Sequence, residues 1–139
     1  MLTIGRTGFA LAVLCLSALA ARAQGDIAER QLHAQPGRDL RVAVYADIRS
    51  DCTAGPLPAI RLAAPPAHGA VNVKRGTLKA TNFKQCLAAE VPALVVFYRP
   101  VADFTGVDAF DLEITLSGRK KRERFKVNVS TQAGSGQHI

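Results

Sequence analysis

The stretch YRPVADFTGVDAF, residues 98–110, sets Tyr98, Pro100, Phe104, Gly106, Asp108 and Phe110 at even offsets, and its reading decides the fold. Even spacing is the period of a β-strand, whose alternate side chains share one face. Tyr98-x-Pro100 reads as a strand end, because proline cannot donate to a ladder. Gly106 suits a turn position with φ above zero, and Asp108-x-Phe110 opens the next strand. Asp108 is placed to accept backbone N–H bonds within that turn. Phe104 and Phe110 stand on either side of the turn, where each closes the end of a β-sandwich with a burial worth roughly 2 to 3 kcal/mol.

The alternation continues on both sides of this stretch. Phe110, Leu112, Ile114 and Leu116 alternate with polar residues, as do Phe125, Val127 and Val129. With Gly118-Arg119 as a two-residue type II′ loop, Glu113 faces Arg124, Asp111 faces Lys126, Leu112 faces Phe125 and Phe110 faces Val127. A slip of one residue would reverse the faces. Upstream, ALVVFY at 93–98 is a strand bracketed by Pro92 and Pro100. HGAVNVKRG gives another, with Val71 and Val73 on one side and Gly69 and Gly76 as turn residues. Between them, residues 77–90 suggest a short strand around Leu78, an excursion carrying Cys86 and a helical turn near Gln85 to Ala89.

Ile60 and Leu62 begin a short strand that ends at Ala64-Pro65-Pro66. Leu40, Val42, Val44, Ala46 and Ile48 alternate with Asp39, Arg41, Ala43, Tyr45 and Asp47, which predicts a strand with the first set buried. Residues 24–37 are polar and lack a period, so they read as a lead-in; residues 132–139 read as a flexible tail. Six or seven short strands without an amphipathic helix predict one all-β domain over 38–131, an immunoglobulin-like antiparallel β-sandwich of about seven strands.

Residues 1–23 stand apart. MLTIGRTG carries one Arg, FALAVLCLSALA is apolar, and Ala21-Arg22-Ala23 has the small-x-small pattern of a signal-peptide cleavage site. The apolar run is too short for a membrane anchor, and Leu14 before Cys15 does not fit a lipoprotein signal. The expectation is an exported protein, periplasmic or secreted, without a transmembrane segment after signal removal. Cys15 leaves with the leader, so Cys52 and Cys86 remain. An even count in an oxidising compartment predicts a disulfide between them. Neither lies in a CxxC or beside a His, which argues against a metal pair or a reactive thiol.

Tyr98-x-Pro100, Phe104, Gly106, Asp108 and Phe110, with His68-Gly69-Ala70-Val71 upstream, resemble the signature of bacterial immunoglobulin-like and cadherin-like tandem repeats. The resemblance covers about residues 60–130 and implies the sandwich fold, not an activity. This chain departs from the repeats in being a single copy. It also carries about 20 residues around Cys86 between two strands that usually follow directly. A stapled insertion on a rigid sandwich is the best candidate for a specialised surface.

The chain has 18 Lys and Arg, of which Arg6 and Arg22 lie in the leader; the remaining 16 against 11 acids give a net charge of +5. GRKKRER concentrates this charge, making Arg119, Lys120, Lys121 and Arg122 a candidate anion-binding tip for envelope polymers or lipid headgroups. The competing reading is a solvated hairpin end. Aromatic residues are not interleaved as base stacking requires, which argues against nucleic acid. His33, His68 and His138 have no ligand spacing, and no nucleophile elbow, P-loop or HExxH is present, so the expectation is a non-catalytic chain without cofactor or metal. An alternative is weak calcium binding by Asp103, Asp108 and Asp111. The reading favoured is a binding module whose partner is a protein or another envelope component.

Overall fold

The structure, a computed structural model, describes residues 27–80, 86–87 and 89–132. The predicted leader and most of the predicted tail lie outside them. Seven strands are present among the described residues: β1 (Ala28–Ala34), β2 (Leu40–Tyr45), β3 (Ala59–Ala64), β4 (Gly69–Lys79), β5 (Glu90–Pro100), β6 (Gly106–Leu116) and β7 (Arg119–Val129). They form two sheets, β1-β7-β6-β3 and β2-β5-β4. Grouping the second, fifth and fourth strands against the third, sixth and seventh is the immunoglobulin-like division. All pairs are antiparallel except β1 with β7. No described helix is long and apolar enough to cross a membrane.

The core is built by residues that the alternation singled out. Val96 and Tyr98 from one sheet meet Phe110, Leu112, Ile114, Phe125, Val127 and Val129 from the other, all fully buried. Tyr98, Phe110 and Phe125 stack in sequence, with ring centroids 5.5 and 5.0 Å apart.

Asp108 is buried, and its bonds reach beyond its own turn. Tyr98 Oη donates to Asp108 Oδ2 at 2.7 Å, and the backbone N–H groups of Ala67 and His68 each donate at 3.0 Å. Only the Ala109 N–H, at 2.9 Å, is local. The carboxylate thus fastens the β3–β4 connection, some 40 residues upstream, to β5 and β6. Gly106 has φ +132°, and Phe104, half-buried, stacks on His68 at 4.0 Å.

Five expectations need correction. First, the lead-in contains β1. Leu32 faces Val127 and Ala34 faces Val129 on the inner side, but Arg30 occupies the preceding inward position over the Phe125 ring and hides the alternation. Second, a bulge between Arg41 and Ala43 reverses the faces of β2, so Ala43 and Tyr45 are buried. Third, β4 runs straight through Gly76, and the strand expected near Leu78 is its continuation; a Cβ at Gly76 would lie 3.2 Å from Val95.

Fourth, β5 includes both prolines. Pro92 and Pro100 pair with β4, while β2 reaches only from Leu94 to Tyr98, so each proline lies beyond the β2 ladder. Fifth, the β6–β7 turn is Ser117-Gly118, with φ 47° and 76°, a type I′ geometry. Asp111 therefore faces Arg124, Glu113 faces Arg122, Phe110 faces Phe125 and Leu112 faces Glu123. The shift of two residues keeps every face and changes every partner.

Candidate functional site

At the end of β2 the chain enters the 46–58 connection, which closes on itself through its backbone. Gly55 N–H donates to Asp47 O, Arg49 N–H to Thr53 O and Cys52 N–H to Arg49 O, each at 2.9 Å. Ile48 and Ala54 form an isolated bridge. Cys52 takes a left-handed φ of 67°. Asp51 accepts from the Thr53 hydroxyl at 2.6 Å and its N–H at 3.1 Å, and these bonds hold its carboxyl below the usual range. A Cβ at Gly55 would run into the Asp47 side chain, so any larger residue there would have to displace Asp47.

The predicted disulfide is present. Cys52 and Cys86, with Cα atoms 5.1 Å apart, join this loop to the β4–β5 connection. Ala80 N–H donates to Ala89 O at 2.9 Å and closes the base of that connection. Ala80, Cys86, Val91 and Ala93 are buried but lie outside the main core. Val91 and Ala93 are odd-numbered, opposite in alternation to Val96 and Tyr98. Leu87, beside the staple, is 67% exposed. Residues 81–85 and 88 lie outside the described residues, and with them two of the five positions of the helical turn expected near Gln85 to Ala89; Ala89 N–H donates to Cys86 O at 3.3 Å.

The β6–β7 turn joins the same end, because Ser117 Oγ donates to Asp47 Oδ2 at 2.6 Å. Just below, Tyr45 Oη donates to Glu123 Oε2 at 2.8 Å, and Lys121 Nζ lies 2.6 Å from Glu123 Oε1 and over the Tyr45 ring. Burial pushes the Glu123 carboxyl up, but the bonds from Lys121 and Tyr45 outweigh it and hold it below its ordinary value. Burial and the same bond push the Tyr45 phenol far above its own. Three connections are thus tied together: two by a disulfide, and the third by hydrogen bonds.

The basic tip looks different from its sequence reading. Lys120 lies 3.8 Å from Glu113, Lys121 is bonded to Glu123, and Arg122 reaches Asp111 at 3.0 Å. Arg124 also grips Asp111 with two nitrogens, at 2.8 and 3.0 Å. Of the four candidates, only Arg119 lacks a carboxylate partner among the described residues. The calcium trio does not converge: Asp108 points into the core, Asp111 lies on the outer face of the same strand, and Asp103 sits in the β5–β6 connection. Among the described residues no three His, Cys, Asp or Glu side chains gather. A hollow of about 260 Å³ is lined by His33, Arg38, Asp39 and Gln132 with no hydrogen bond among those side chains.

Sequence reasoning missed Tyr45, Glu123 and the Ser117–Asp47 bond. Glu123 left one signal, since it shares alternation with Phe125 and Val127 and is the single acid in a basic run. No family model, curated protein or solved structure significantly matches the chain.

Proposed function

We propose that the protein is an exported, non-catalytic immunoglobulin-like module that binds a protein or envelope component through the end formed by residues 46–58, Cys86, Leu87 and the Ser117-Gly118 turn. The observation that carries this reading is the cross-tying of three connections at one end of the sandwich. Ordering loops before contact removes part of the entropy cost of association, and recognition on β-sandwiches concentrates in loops held by a rigid scaffold. Exposed Leu87 beside the staple supplies an apolar anchor. The disulfide fits an oxidising compartment.

A photoreactive side chain in place of Leu87 tests the reading in envelope extract of the producing organism. Specific crosslinking at position 87, absent with the same group at exposed Ala109 and abolished by reductant, is the expected result. Crosslinking that is indifferent to position, or capture lost at high salt and in a Lys120→Ala, Lys121→Ala, Arg122→Ala variant, would replace this reading with electrostatic binding at the hairpin tip.

A further inference from the structure

The sandwich is left open along one side. Tyr45 on β2 bonds Glu123 on β7, and Tyr98 on β5 bonds Asp108 and stacks on Phe110 of β6. With β2 over β7 and β5 over β6, β4 lies over β3, and both are edges of their sheets. Leu62 on β3 stands opposite buried Leu112, and Val73 on β4 stands opposite buried Val96, so both side chains face the interior. They are nevertheless 40% and 43% exposed. Two core-facing aliphatic side chains are open to water along the β3–β4 side.

The rim of this opening is a template for pairing. β4 runs eleven residues in unbroken register with β5, and its other edge has no strand partner among the described residues. An unpaired edge presents a row of backbone donors and acceptors. Its centre is cationic. Lys74 and Arg75 have no carboxylate partner among the described residues, in contrast to the neutralised cations of β7; Lys74 lies instead 5.0 Å from the Phe97 ring centroid. Lys79 is excluded from this pair because it stands opposite Glu90. A second copy pairing about the middle of β4 would set these cations against themselves, which selects against self-association.

We propose that the β3–β4 side takes up an extended polypeptide segment of alternating apolar and acidic residues, added as a further strand on β4. Its backbone satisfies the open edge, its apolar side chains cover Leu62 and Val73 on the inner face, and its carboxylates meet Lys74, which shares the outer face with Phe97, while Arg75 stands on the inner face beside Val73 and adds to the positive charge of the edge. Alternation is required because successive side chains of a strand point to opposite faces. This surface runs along the length of the sandwich and is separate from the stapled loop end.

The test uses the full, oxidised protein and a displayed library of random dodecapeptides. Enriched peptides should alternate apolar residues with Asp or Glu. Their synthetic forms should bind roughly tenfold more weakly, by fluorescence anisotropy, to a Lys74→Glu, Arg75→Glu variant. Amide exchange should slow across 69–79 on binding. If charge reversal impairs folding, Lys74→Gln with Arg75→Gln serves in its place. The proposal is overturned if nothing is enriched, if binders lack acidic residues or bind both proteins equally, or if protection falls on 46–58. Self-association by sedimentation that the variant abolishes would also overturn it, since the occupant would then be a second copy.

Discussion

Asp108 shows how one side chain joins distant parts of the chain. Its carboxylate accepts four hydrogen bonds, from Tyr98, Ala67, His68 and Ala109. Buried polar groups are costly when left unpaired, and bonds to a charged group are the stronger kind. Tyr98→Phe removes one such bond and should lower stability by about 1.5 to 3 kcal/mol, read from the midpoint of urea denaturation at unchanged slope. Sequence spacing was enough to place Asp108 and Phe110 on one face of one strand and Tyr98 near the end of the strand before it. The donors to Asp108 were not legible, because Ala67 and His68 are brought there by tertiary contact and carry no local mark of it.

At the scale of elements, the hairpin shows why alternation is informative and incomplete. The side-chain period of two fixes which residues of β6 and β7 face inward, and it survived a two-residue error in register. The partners did not survive it. Ser117 at positive φ gave no glycine signal, so the turn was placed one residue late and Glu123 was left out of the site. The staple was legible for a different reason: with Cys15 assigned to the leader, one pairing remained. Closing a separation of 34 residues should stabilise by about 3 to 4 kcal/mol on chain-entropy grounds. Urea denaturation with and without reductant measures that difference, and faster amide exchange after reduction should concentrate in 46–58 and around Ala80 and Ala89.

For the whole molecule, pH limits stability from both sides. Asp108 and Glu123 are pushed up by burial but held lower still by their hydrogen bonds, and Arg124 lowers Asp111. A depressed folded pKa contributes stability that is complete above the unfolded value, 3.8 for Asp and 4.5 for Glu, and is lost as pH falls through the folded one. Tyr45 and Tyr98 are raised, by burial first, so their contribution is complete below 10.0 and declines above it. Thermal melting across pH should show a plateau between these limits with an acid and an alkaline fall.

The all-β sandwich was legible because its central strands alternate cleanly. β1 was hidden by inward Arg30. Deleting residues 24–36 should therefore cost at least about 2 kcal/mol, from exposure of Leu32 and its neighbours, where loss of a mere lead-in would leave the urea midpoint unchanged.

The parallel pairing of β1 with β7 also sets how the molecule resists being stretched. Ala28 lies beside Glu123 near the loop end, and Ala34 lies beside Val129 at the opposite end. Tension between the two ends of the folded domain draws these strands past each other along their length. Every register pair from Ala28–Glu123 to Ala34–Val129 is then loaded in shear at once, so they must yield together rather than unzip in turn. Rupture under load is governed by the unfolding barrier rather than by equilibrium stability, and that barrier rests on a segment of modest hydrophobicity.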